Sequence, residues 1–198
     1  MSRRVAGCLL TALTAAAVAG CSSDGPNSAI TDPPLCSDGD DGAGNGVILM
    51  AQSVPSATWV PCIGTALPLG WDFHHLEAGN GSARFWLDSD RDGVRAVEVR
   101  LSESCDTAGT TEIPSDREGM RRLERVRRLS PTYAGERYYL FHGGCITVVF
   151  SLDGNNAGEA LALSSQVVGE IARSDLAAQV REESGGRLSL DPDPGEGG

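Results

Sequence analysis

Three sets of residues in this chain have side chains and spacings that could do chemistry. The first is Asp88-Ser89-Asp90-Arg91-Asp92-Gly93. Carboxylates at alternate positions before a glycine match the first half of a calcium loop. There they converge on one hard cation while the glycine makes the turn. The second half departs from that pattern. Val99 stands where the twelfth loop position supplies a bidentate glutamate, and Glu98 falls one place short. The sequence favours a solvated acidic turn between two strands, with a calcium site on Asp88, Asp90 and Asp92 as the alternative.

The second set is a run of guanidiniums at Arg117, Arg121, Arg122, Arg125, Arg127 and Arg128. Arginine grips carboxylates and phosphates in a bidentate fashion. Arg121, Arg122, Arg125, Arg127 and Arg128 are therefore the ligand-binding candidates, for an envelope polymer bearing such groups. Asp116, Glu118 and Glu124 are interleaved with them, a pattern that favours a salt-bridged, exposed face.

The third set is His74, His75 and His142. Neighbours on a regular strand point to opposite faces, so His74 and His75 are not expected to share a metal. His142 precedes Gly143-Gly144 at an expected hairpin tip. Motifs of known catalytic mechanics are missing: no G-x-S-x-G, S-x-x-K, H-E-x-x-H or P-loop. All sixteen basic residues are arginine, so a lysine Schiff base is excluded. No catalytic residue is identified, and no cofactor is implied.

These side chains must be positioned by a domain whose address is written at the start of the chain. Arg3 and Arg4 are followed by small and apolar residues to Gly20, a secretory layout. Val18-Ala19-Gly20-Cys21 resembles the lipobox of bacterial lipoproteins. That resemblance implies a signal peptide over 1–20, cleavage before Cys21, and a diacylglyceryl group on Cys21 that anchors the protein at the extracytoplasmic face of the cell membrane. Two acyl chains suffice for stable attachment. The same tetrapeptide at Val5-Ala6-Gly7-Cys8 lacks a preceding apolar stretch and is expected within the discarded peptide. Short segments of the mature chain, Val60-Pro61-Cys62, Leu69-Gly70-Trp71 and Gly143-Gly144-Cys145, resemble exported proteins of high-GC Gram-positive bacteria. That resemblance implies no activity.

Removal of residues 1–20 takes two basic residues and no acidic ones, leaving 14 basic against 27 acidic residues and a net charge of −13. Such a surface argues against nucleic acid or anionic lipid as the main partner. Cys36, Cys62, Cys105 and Cys145 then form an even set in an exported domain and are expected to make two disulfides. Pairing in chain order, Cys36 with Cys62 and Cys105 with Cys145, is the favoured arrangement.

Residues 21–45, rich in Ser, Asp, Gly and Pro, read as a flexible tether. Residues 189–198 read as a disordered acidic tail. Between them, 46–188 reads as one domain. Val47–Gln52 suits a short helix. Alternation predicts strands around Trp71–Leu76, Ala83–Asp88 and Val97–Leu101. Over 115–130 a capping box at Ser115-Asp116-Arg117-Glu118 and the spacing of Met120, Leu123 and Val126 allow a helix, but Gly119 in its first turn favours a turn at 114–119 and a strand through Leu129. Alternation also predicts a hairpin from Arg137 through Gly143-Gly144 to Leu152. Ala160, Leu163, Val167 and Ile171 recur at helical spacing over 157–172. Ser174 could cap a further helix ending before Gly185-Gly186. The expected class is α+β: an antiparallel sheet of about five to seven strands with a C-terminal helix packed on one face. The expected function is a non-catalytic, membrane-tethered binding or accessory protein of the cell envelope, with a partner protein or polymer. The alternative is an exported hydrolase acting on envelope polymers.

Overall fold

The computed structural model describes residues 28–36, 42, 44–64, 66–153 and 156–191. The expected signal peptide over 1–20, Cys8, Cys21 and residues 192–198 lie outside these residues. The elements in chain order are β1 (Ser28–Ile30), α1 (Asn45–Ser53), β2 (Trp59–Ile63), β3 (Trp71–Gly79), β4 (Ser82–Ser89) and β5 (Gly93–Ser102). There follow β6 (Thr111–Ile113), β7 (Arg121–Arg128), β8 (Thr132–Phe141), β9 (Gly144–Asp153), α2 (Ala157–Val167), β10 (Val168–Ala172) and α3 (Arg173–Glu183).

An antiparallel sheet runs β1-β3-β4-β5-β9-β8-β7-β6, and β10 pairs with β2 in a second, two-stranded sheet. The class is α+β, as expected. Two three-residue edge strands, β1 and β6, carry the main sheet to eight strands. Period-two alternation builds its core face. Phe85 pairs with Val99, Val99 with Val148, and Leu101 with Ile146, all fully or almost fully buried. Each such side chain contributes about 1.5–3 kcal/mol of burial. Val47, Met50 and Ala51 of α1 and Leu176 of α3 close over this face.

Four local expectations are corrected. The helix over 157–172 stops at Val167, and Val168–Ala172 forms β10 on the open edge of β2, Val168 opposite Ile63. Glycine weakens a helix interior by about 1 kcal/mol. At Gly169 a Cβ would lie 3.2 Å from Cys36 Sγ, so the strand also lets the backbone pass close to a disulfide. Ser174 does not cap α3. Ala172 holds the N-cap position without a side-chain bond, and Ser174 Oγ donates to Asp175.

Residues 28–36, expected within the tether, are instead part of the folded domain. Ser28 stands opposite Ala78 and Ile30 opposite Leu76, Leu35 bridges to Ile63, and Cys36 bonds Cys62. Ile30 and Leu35 find apolar partners on the core, which offsets the entropy of ordering this segment. The domain also runs past 188 into the expected tail. Leu190 is buried, Asp191 N–H donates to Gln52 Oε1, and Arg173 donates to the Asp191 carbonyl.

The disulfides are Cys36–Cys62 and Cys105–Cys145, with Cα separations of 4.9 Å and 6.0 Å. The first pins β1 and its loop to β2. The second holds the loop after β5 to the face of the sheet that the helices leave open.

Candidate functional site

Strand β7 divides the arginine run between two faces. Arg121, Leu123 and Arg125 stand opposite Leu140, Tyr138 and Glu136 on the open face. Arg122 and Glu124 stand opposite Tyr139 and Arg137 on the helix side. One ligand cannot engage the whole run.

On the open face the guanidiniums are paired with carboxylates. Arg121 Nε and its terminal nitrogen donate to Glu112 at 3.0 and 2.7 Å. Glu136, 9% exposed, accepts from Arg125 Nε at 2.8 Å, from Arg127 and from the Tyr138 hydroxyl at 3.1 Å. Burial alone would raise the Glu136 pKa. The hydrogen bonds from Arg127, Arg125 and Tyr138 outweigh it and hold the carboxyl below its usual range. Arg128 lies beyond a bulge at the strand end and is exposed. Arg121, Arg125 and Arg127 thus lie on a salt-bridged face whose carboxylates are Glu112 and Glu136 and not the interleaved Asp116, Glu118 and Glu124.

Arg122 goes elsewhere. Together with Asp116, Arg117, Arg137, Ser165 and Glu170 it lines a cleft of about 490 Å³ between α2, β10 and the strands β7 and β8. Gly119, with φ +72°, turns the chain so that the 114–119 loop lays Arg117 inward from the start of β7. The Arg117 side chain is only 7% exposed. Its guanidinium carbon lies 4.2 Å from the Tyr139 ring centroid, it donates to the Val168 carbonyl, and it ion-pairs with Glu170. Arg122 pairs with Asp116 at 2.9 Å, while Arg122 Nε is buried with no hydrogen-bond partner among the described residues. Arg137 donates to Glu124 at 3.0 and 3.1 Å and to Ser165 Oγ at 2.8 Å.

The two cleft carboxyls are pushed in opposite directions. Burial raises the Glu170 pKa above the ordinary value; Arg117 opposes this and the nearby Asp116 charge adds to it. Burial would also raise Asp116, but the hydrogen bond from Arg122 prevails and its pKa is lowered. Three guanidiniums on one wall system can seat a carboxylate or phosphate. Two carboxyls of different acidity can divide acid and base roles.

Two of the three carboxylates of the acidic loop, Asp88 and Asp92, are engaged within the fold. Asp88 Oδ1 accepts the Arg95 N–H at 2.8 Å, where Arg95 has φ +56°, and Asp88 Oδ2 meets His74 Nδ1 at 3.0 Å. Asp92 Oδ2 accepts from Ser89 Oγ at 2.7 Å. Among the described residues no group of three or more histidine, cysteine or carboxylate side chains is placed to hold a metal.

A bulge between Phe73 and His75 overturns the alternation argument for the histidines. It sets the rings of His74 and His75 4.8 Å apart. His75 Nε2 meets Glu77 Oε1 at 3.1 Å, and its ring stacks on Trp86 at 4.4 Å. His142 is exposed at the β8–β9 turn and lines a separate cleft.

The 490 Å³ cleft was only half visible in the sequence. Arg122 was singled out, but Glu170 and Arg137 lie 48 and 15 residues away from it and carry no local signal. Gly119 was the available clue, a left-handed turn residue that aims Arg117. Comparison with family models, curated proteins and solved structures returns no match.

Proposed function

We propose that this chain is a non-catalytic binding or accessory lipoprotein of the cell envelope, held at the extracytoplasmic face of the membrane by a diacylglyceryl group on Cys21. Its cleft of Arg117, Arg122 and Arg137 receives a carboxylate or phosphate group of an envelope protein or polymer. The observation that carries this reading is the convergence of three guanidiniums on one cleft, with the buried Arg122 Nε lacking a hydrogen-bond partner among the described residues. A buried donor without a partner costs about 1–3 kcal/mol, which an anionic ligand would recover on binding. No helix of the described residues is long and apolar enough to cross a membrane, so attachment rests on Cys21 in this reading.

Titration of the protein with polygalacturonate and with polyphosphate tests it. Binding of at least one polyanion is expected, lost in Arg122→Gln and kept in Arg121→Gln, whose side chain lies on the opposite face. Absence of binding, or equal loss in both variants, overturns it.

The alternative of an exported hydrolase is favoured by one feature, the opposed acidities of Asp116 and Glu170 in the same cleft. Glu170 would then be the acid and Asp116 the base. Release of reducing ends from an acidic glycan, abolished by Glu170→Gln with binding retained, would establish this reading in place of the first.

A further inference from the structure

The second large cleft lies at one end of the main sheet. It measures about 500 Å³ and is lined by Ser56, Thr58, His142, Arg173, Arg181 and the acidic Asp191, with Pro55, Ala57, Ala177 and Leu190 as its apolar portion. The β8–β9 turn at His142 and Gly143 forms one lip. A Cβ on Gly143, whose φ is +74°, would lie 1.8 Å from the Ser56 carbonyl oxygen. Ser56 Oγ also donates to the Gly143 carbonyl at 2.7 Å, and Thr58 Oγ1 to the His142 carbonyl at 2.9 Å. The lip is thus locked to the loop between α1 and β2. Arg173 is held across the cleft by the carbonyls of Ala51 and Asp191. Arg181 is exposed, and no carboxylate pairs with it among the described residues.

The strand register sets where this cleft sits relative to the anchor. Ser28 pairs with Ala78, beside the β3–β4 turn, and Gly81 of that turn donates its N–H to the Ser53 carbonyl at the end of α1. Ser82 pairs with Ser102, Ser102 with Cys145, and Cys145 with Leu140. The β3–β4 turn, the β8–β9 turn and the entry of the chain at Ser28 therefore share one end of the sheet. Six residues separate Cys21 from Ser28. At about 3.5 Å per residue that connection spans about 25 Å when fully extended. Only a nearly straight connection could bring the opposite end of the sheet to a bilayer that holds Cys21.

We propose that the cleft of His142, Arg173 and Arg181 is a headgroup site that seats the phosphate of an anionic phospholipid, docking this end of the domain on the membrane. Arg181 and the ring of His142 meet the phosphate, the Ser56 and Thr58 hydroxyls flank it, and Ala177 and Leu190 cover the glycerol portion. Arg173 and Arg181 outnumber the single carboxylate of Asp191 in the lining, and this local excess works against the acidity of the molecule as a whole, because the field of distant charges is screened within about 10 Å. The proposal rests on attachment through Cys21.

The test uses the lipidated protein in liposomes of phosphatidylcholine, with and without phosphatidylglycerol, and reads backbone hydrogen exchange. A basic side chain seated at an anionic surface strengthens docking by a factor of about five. Exchange over 55–58, 142–144 and 173–177 should slow by about that factor when phosphatidylglycerol is present, and Arg181→Gln should abolish the slowing. Exchange over 69–71 and 90–93, at the opposite end, should be the same in both liposomes. Equal exchange in the two lipids, slowing at the opposite end, or slowing that survives Arg181→Gln overturns the proposal. The mass of the Cys21 peptide judges the anchor separately. An unmodified Cys21 defeats the attachment reading whatever the exchange shows.

Discussion

Arg117 lies over the ring of Tyr139, its guanidinium carbon 4.2 Å from the ring centroid, while the same group pairs with Glu170. The ring is almost wholly buried, so this cation is held against an aromatic face away from water. Removing one partner of such a pair strands a buried charge, which costs about 3–5 kcal/mol. Arg117→Leu should lower the urea-unfolding free energy by about 3 kcal/mol at neutral pH. The double variant Arg117→Leu/Glu170→Leu should recover most of that loss. A double variant no more stable than the single one would show that the pair is not the source.

On the other side of the sheet, Glu136 sets a pH dependence. Its folded pKa is depressed, so its contribution is present above the ordinary carboxylate pKa and is lost as pH falls through the lower, folded value. Glu136→Gln should cost about 2 kcal/mol at neutral pH. The gap between wild type and variant should close as pH falls below 4.5. Parallel stability curves for the two proteins would contradict this.

The carboxylates of Asp88 and Asp92 already have partners, so calcium should leave the melting temperature unchanged. Asp88→Ala removes the acceptor of the Arg95 N–H and should cost about 1 kcal/mol. A melting temperature that rises with millimolar calcium in the wild type, and not in Asp90→Ala, would reverse this assignment.

Thiol titration of the denatured, unreduced domain should find Cys36, Cys62, Cys105 and Cys145 all blocked. The bonds close chain separations of 26 and 40 residues, each worth about 3–4 kcal/mol in the chain-entropy model. Cys36→Ser/Cys62→Ser should in addition speed hydrogen exchange over 28–36, because that bond ties the segment to β2. Unchanged exchange there would mean that Ile30 and Leu35 hold the segment alone.

Cys21→Ala should release the protein from membranes or leave an uncleaved precursor. Unchanged membrane fractionation and mass would remove the anchor from the account.

Legibility in the sequence followed the range of each interaction. Val97, Val99 and Leu101 announced a strand because alternation is a local consequence of burying one face. The β8–β9 hairpin was readable because Gly143 supplies its left-handed turn. By contrast, Val168–Ala172 is a strand only because β2, more than a hundred residues earlier, leaves an edge open to it. Ser28–Ile30 looked like part of a tether for the same reason, since the edge of β3 is invisible from its own composition. The cleft depends on such distant partners. Arg122 is one guanidinium among six until Tyr139, Arg137 and Glu170 are folded against its side of the sheet. His74 and His75 were separated by an alternation that one extra residue in β3 abolishes.

The alternation of β7 carries a cost beyond any one side chain. Arg122 and Arg125 serve different surfaces only because they occupy positions of opposite parity. Substitutions on one surface can therefore accumulate without touching the other, and the two can diverge independently. A one-residue insertion or deletion within 121–128 is another matter. Placed between Arg122 and Arg125, it would give the two residues the same parity and carry both to one face. Length, more than residue identity, is the property of this strand that selection must guard.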